Sequence, residues 1–173
     1  MKRIIIIVAA AVIVFAGTAS AFDFAVGGRV AGVAGLSGLN TYTSGVGSTM
    51  VQGQVLLGPL ELGIGVIPGV TGIYPITLGF LGKFPVPVVQ PYLGGEFTYL
   101  LSPALNSSPD LQMHIFLTQI KGGAEVKLGN TGIYGGIGYA LILGYVNITG
   151  FGSGFVAAPA GLTWEVGARY YLF

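Results

Sequence analysis

The sequence predicts an all-β fold: an eight-stranded antiparallel up-and-down transmembrane β-barrel behind a cleaved N-terminal signal peptide. Three observations lead there. Hydrophobic residues make up 53% of the 173-residue chain and charged residues only 8%, whereas a soluble domain carries about a quarter charged residues. Glycine occurs 31 times, and beyond the first 21 residues no apolar run approaches the ~20 residues that a membrane-crossing helix needs. Apolar and polar residues instead alternate in segments of about ten, separated by turn signals. Such a chain is too oily for water and too interrupted for helices. Inside lipid it can satisfy its backbone N–H and C=O groups only by closing a sheet on itself.

The beginning of the chain gives the compartment. Lys2 and Arg3 precede an apolar run from Ile4 to Ala16, and Ala19–Ala21 follow as an A-x-A pattern. This is the three-part form of a secretory signal peptide, with cleavage expected after Ala21. Residues 1–21 are therefore read as the signal and residues 22–173 as a single barrel domain. The signal lacks an Arg-Arg pair, which favours the general secretory route. There is no cysteine, hence no disulfide, thiolate metal site or lipidated N-terminal Cys. Removing Lys2 and Arg3 from the seven basic residues leaves five against six acidic ones, too few to hold a nucleic acid.

The segments follow in order. Phe22 to Ala34 sets Phe22, Phe24, Val26 and Val30 against Asp23 and Arg29. STMVQGQVLLG opposes Val51, Val55 and Leu57 to Gln52 and Gln54. LELGIGVI opposes Leu60, Leu62, Ile64 and Val66 to Glu61, Gly63 and Gly65. ITLGFLGK opposes Ile76, Leu78 and Phe80 to Thr77, Gly79 and Lys83. VQPYLGGEFTYL carries Pro91 near its start, where a missing ladder donor costs least, and opposes Leu93, Phe97 and Tyr99 to Tyr92 and Glu96. Met113 to Leu128 places Gln119, Lys121, Glu125 and Lys127 on one face. IYGGIGYALILGY is the least alternating, since Ala140 and Ile142 make its second face nearly apolar. LTWEVGARYYLF closes the series with Glu165 and Arg169 opposite Trp164, Val166 and Tyr170.

The connections also alternate. Gly58-Pro59, FPVP and GNTG are short. LSGLNTYTSGVG, PGVTGIYP, SPALNSSPDLQ and VNITGFGSGFVAAP are mostly longer and rich in Gly, Ser, Asn and Pro. Short turns at one end and longer loops at the other are the habit of outer-membrane barrels, and an even strand number puts both termini at the short-turn, periplasmic end.

Every charge on a predicted strand lies opposite the apolar face, with Asp110 alone in a loop. A Lys or Arg on the lipid face near the bilayer midplane costs about 2–4 kcal/mol, so the charged faces are expected to point inward. The expected lumen cluster is Arg29, Glu61, Lys83, Glu96, Lys121, Glu125, Glu165 and Arg169. Counting upward from the short turns predicts three cross-strand pairs: Arg29–Glu165, Glu96–Lys121 and Glu61–Lys83. Eight strands enclose an interior just wide enough for side chains to fill. Many inward positions are glycine, and Tyr92 and Tyr134 are expected to lie across some of them. A small wet cavity is the alternative.

The signal peptide, the eight two-faced segments and the terminal GARYYLF together resemble the small eight-stranded bacterial outer-membrane barrels, of the OmpA transmembrane-domain and OmpX type. The likeness spans the mature chain but is architectural. It implies outer-membrane lipids and the barrel assembly machinery as partners, a monomer, and a C-terminal assembly signal at Tyr171 and Phe173. The chain departs from that family in one respect: Phe173 falls in step with Arg169 and Glu165 rather than with the lipid-facing residues.

No catalytic, cofactor or metal constellation is read. His114 is the only histidine and has no second His or Cys with which to share a metal. Ser153 lies in GFGSGF, where Phe151 replaces the first glycine of a nucleophile elbow. GGIG at 135–138 lies within a strand and lacks a phosphate-cradling helix. The expected function is a non-enzymatic outer-membrane scaffold that displays loops, its lumen plugged by polar side chains. A narrow small-solute conduit or a barrel binding a small amphipathic ligand is the second hypothesis. A lipid-modifying enzyme and a secreted soluble β-protein are further ones.

Overall fold

The computed structural model of the chain describes residues 23–34, 49–84, 86–103 and 111–172. They form eight strands: β1 (Phe24–Ala34), β2 (Thr49–Leu57), β3 (Leu60–Val66), β4 (Tyr74–Lys83), β5 (Val89–Leu101), β6 (Leu111–Leu128), β7 (Thr131–Ile148) and β8 (Gly152–Tyr171). Neighbours pair antiparallel in chain order, and β8 returns to β1 to close the barrel. Each of the eight alternating segments is a strand. The expected signal peptide (residues 1–21), Phe22, the LSGLNTYTSGVG connection, Asp110 and Phe173 lie outside the described residues.

Glycine makes the tight turns. β2 and β3 meet through Gly58-Pro59, with Leu57 paired to Leu60, and β6 and β7 through Gly129-Asn130, with Leu128 paired to Thr131. Gly58 and Gly129 have φ of 58° and 60°. A two-residue hairpin with glycine first suits the right-handed twist of its strands. The first and last strands start and finish at this same end, where Ala25 pairs with Tyr171.

The opposite end differs from expectation. VNITGFGSGFVAAP is not a loop: β7 runs on to Ile148 and β8 begins at Gly152, paired continuously from Leu141↔Pro159 to Ile148↔Gly152. Tyr145, Val146, Ile148, Phe155 and Val156 are strand formers. The flanking glycines make the turn instead of loosening a loop, with Gly150 at φ 84° and Gly152 at 103°. A bulge at Ala140/Leu141 sets Ala160 as the extra residue on β8. It resets the inward parity and lets Pro159 sit in a strand, where bulges are one of the few tolerated places for proline. PGVTGIYP is likewise shortened, because Tyr74 and Pro75 already belong to β4.

The two faces separate cleanly. The outer wall carries Val26, Leu62, Ile64, Leu78 and Phe97, with Ile120 70% and Ile137 72% exposed. On the inner face Arg29, Glu61, Lys121 and Glu125 are buried, none more than 3% exposed. On the outer wall the Trp164 ring lies over Gly32, its register partner, where a Cβ would fall 2.6 Å from Nε1. No helix among the described residues is long and apolar enough to cross a membrane.

Candidate functional site in the barrel lumen

The site grows from the parity of the strands. Each inward charge is held on a different ladder, so its height is fixed by register, and lumen width then decides which groups meet. Arg29 on β1 reaches the centre. Its Nη1 donates to Glu96 at 2.6 Å, Glu165 at 2.9 Å and Glu61 at 3.2 Å. Its Nη2 donates to the other Glu96 oxygen at 2.5 Å, and Nε to Gln52 at 2.6 Å. Lys121 on β6 meets the same three carboxylates, Glu96 at 2.7 Å, Glu165 at 2.9 Å and Glu61 at 3.0 Å. Arg169 joins Glu61 at 2.7 Å to Glu125 at 3.4 Å and lies 4.0 Å over the Tyr134 ring.

Below this centre, towards the chain ends, Lys83 binds Glu125 at 2.8 Å and reaches Asp23 at 3.9 Å, while Lys127 stands 3.8 Å from Asp23. The ten charged residues among those described form one connected network. It holds five acids (Asp23, Glu61, Glu96, Glu125, Glu165) and five bases (Arg29, Lys83, Lys121, Lys127, Arg169). Stripping an ion of water costs several kcal/mol, which close, well-bonded counter-ions offset. The inner carboxylates each have two or more such partners.

Of the three predicted pairs, Arg29–Glu165 and Glu96–Lys121 are in direct contact at 2.9 and 2.7 Å. Each is offset by two residues from direct opposition, since Arg29 faces Gly167 and Glu96 faces Gln119 in register. Glu61–Lys83 is a correction. Glu61 pairs in register with Gly79, so Lys83 stands four residues nearer the short turns and binds Glu125 instead. The β3–β4 register is centred on residue 70 from Leu60↔Phe80 to Ile64↔Ile76, with Ile67 bridged to Val70 beyond it, whereas Glu61 and Lys83 are symmetric about residue 72.

The tyrosines complete the filling. Tyr92 lies over Gly123 and Gly136 and donates to Glu165 at 2.7 Å. Tyr134 covers Gly167 and donates to Gln54. Tyr171, named with Phe173 as the expected assembly signal, points into the lumen as its parity with Arg169 requires, 3% exposed, and donates to Glu125 while accepting from Lys83. Tyr170 and Leu172 are the exposed residues at that end. A polar layer above the ions links Gln52 to Thr77 at 2.9 Å, Thr77 to Thr98 at 2.9 Å and Thr98 to Glu96 at 3.2 Å. Gln52, Gln54, Thr77 and Thr98 were legible as inward residues but not as members of the cluster; the signal was their shared parity with the charges.

Space and chemistry follow from this packing. A void bounded by Gln119, Lys121, Gly136, Thr163 and Glu165 measures about 10 Å³, room for about one water. Oxygens of Glu61, Glu96 and Glu165 lie within 4.8 Å of one another, as a metal ion would require, but the Arg29 guanidinium and Lys121 ammonium already neutralise them. His114 is on the outer face, its Nδ1 2.9 Å from the Tyr99 hydroxyl, and it stacks with that ring. β7 stands between it and Ser153 on β8, a separation of about 10 Å across two strand spacings. Comparison with protein-family models, curated proteins and solved structures finds no match to this chain.

Proposed function

We propose that the chain is a non-enzymatic barrel of a bacterial outer membrane, a scaffold that persists in lipid, displays its longer connections outside and is closed to solutes by its internal ions. The observation that carries this reading is the segregation of charge: the described ionised side chains face one another inside, while the outer wall is a continuous apolar surface. In water that wall would be a large unfavourable exposure; against hydrocarbon it is the expected one. Its partners are outer-membrane lipids and the barrel assembly machinery, which it reaches as a monomer by the general secretory route after cleavage at Ala21. The filled lumen weighs for a scaffold over a conduit.

The single tryptophan of the chain, Trp164, stands on the outer wall and provides the test. In vesicles of phospholipid brominated along the acyl chain, Trp164 emission should be strongly quenched, while aqueous iodide should leave it nearly unchanged. A mature chain that stays in water without detergent, with iodide-accessible Trp164, would overturn the assignment. In planar bilayers the barrel should show no steady conductance. Sustained openings of the unmodified protein would replace the scaffold with the conduit.

A further inference from the structure

The outer wall carries one ionisable cluster of its own. Five outward side chains on β5, β6 and β7 form a ladder of rings: Phe97 on Phe116, Phe116 on Tyr99, Tyr99 on His114 and His114 on Tyr145. Their ring centroids stand 5.1, 5.1, 6.0 and 6.2 Å apart. Register builds the ladder, since Tyr99 faces Phe116 across one strand pair and His114 faces Tyr145 across the next. The Tyr99 hydroxyl adds a hydrogen bond, 2.9 Å from Nδ1 of His114. With a ring on either side and this bond at one nitrogen, the imidazole is held in place.

Height gives the cluster its surroundings. Tyr99 stands ten residues above Val89, and His114 fourteen above Leu128, both counted from the short-turn end. At about 3.3 Å per residue and a tilt of about 40°, these spans are about 25 and 35 Å along the barrel axis. The apolar band of an outer-membrane barrel is about 25 Å tall and is edged by aromatic residues. Tyr99 therefore marks the upper edge of the band, and His114 lies beyond it at the level of lipid head groups.

We infer that His114, held by Tyr99 and Tyr145, is a docking point for the phosphate of an anionic phospholipid. This rests on the barrel reading above and adds a lipid class to it. Charge complementarity selects the occupant. The described Arg and Lys side chains all belong to the lumen network, so His114 is the one described group that can offer the outer wall a positive charge. While the Tyr99 hydroxyl donates to Nδ1, the neutral ring carries its hydrogen on Nε2. On protonation Nδ1 donates to the phenol oxygen instead, and Nε2 keeps its hydrogen. The ring thus presents a donor in both states and a charge in one, which suits a phosphate oxygen. The titratable groups packed beside it are Tyr99 from β5 and Tyr145 from β7, and the network acids stand on the opposite face of the wall.

The test is native mass spectrometry of the mature barrel in neutral detergent, titrated with phosphatidylglycerol near pH 6 and near pH 8. That head group keeps its single negative charge throughout, whereas histidine is the side chain that changes charge in this range. A saturating one-to-one adduct is expected, roughly tenfold tighter at the lower pH, the scale of one charged hydrogen bond. His114→Gln keeps a donor without the charge and should bind at both pH values about as weakly as the wild type near pH 8. Phosphatidylcholine, whose phosphate carries its own cation, should bind weakly at either pH. An adduct that ignores pH or His114→Gln, or that forms equally with phosphatidylcholine, would overturn the inference. So would equal binding of glycerol phosphate, which would assign the site to free phosphate. Should His114→Gln fail to fold, the pH dependence of the wild type alone decides. Failure of the barrel reading itself would show separately, as wild-type Trp164 left unquenched by brominated lipid.

Discussion

Arg29→Met should lower the stability of the barrel by about 3–5 kcal/mol, the cost of removing one partner from a buried ion set. The reason lies in the arithmetic of the centre. Glu61, Glu96 and Glu165 converge on Arg29 and Lys121, and Arg169 supports only the first of them. Losing the guanidinium leaves Lys121 as the only base facing Glu96 and Glu165. It also removes the donor to Gln52. Urea unfolding in phosphatidylcholine vesicles, followed by Trp164 emission, measures the loss. Adding Glu96→Gln to Arg29→Met should recover a substantial part of it, because the orphaned charge is then absent. A single variant less than about 1 kcal/mol below wild type would mean that water reaches the cluster and the ions are worth no more than surface pairs.

Gly136→Val should be the second large effect, about 3–5 kcal/mol from overpacking together with a lost charged hydrogen bond. A Cβ at residue 136 overlaps the Tyr92 hydroxyl and comes 3.0 Å from the Gly122 carbonyl oxygen and 3.2 Å from the Tyr92 ring. The same ring lies over Gly123, the register partner of Gly136, where an added Cβ would stand 2.6 Å from the same ring carbon, so its seat is a pair of adjacent positions left open only by glycine. Displacing Tyr92 also breaks its 2.7 Å bond to Glu165. The same unfolding measurement, with Gly154→Ala as control, separates this clash from a general effect of removing glycine from a strand. At Gly154 a Cβ meets nothing within 4 Å, and that variant should be close to neutral. Tyr92→Ala in the Gly136→Val background should relieve the overlap. A stable Gly136→Val barrel would show that the ring is not seated where these distances put it.

Much of this architecture was legible because a strand has only two faces. Arg29, Glu61 and Lys121 declared their side through parity alone, and the cost of a charge in hydrocarbon declared which side was inward. Heights were less legible. Arg29–Glu165 tolerated an offset of two residues because a guanidinium on a long stem reaches diagonally, whereas Lys83 was misplaced by four because the β3–β4 connection closes two residues earlier than the midpoint of Glu61 and Lys83. The tall β7–β8 hairpin was hidden by its own glycines, which read as loop in sequence yet occupy turn and strand positions. The buried apolar cluster of Val33, Ala140 and Ala160 had left one trace, the apolar second face given by Ala140 and Ile142. The participation of Tyr171 in the ion network was not legible, since parity placed it inward but only the closed barrel brings β4 and β6 within its reach.

The equal numbers of acids and bases have a consequence beyond stability. Ions that answer one another within a few ångströms cancel at a distance, so the described part of the particle projects almost no electrostatic field beyond its own wall. A partner approaching that part does so by undirected diffusion, at a rate that added salt should neither slow nor hasten.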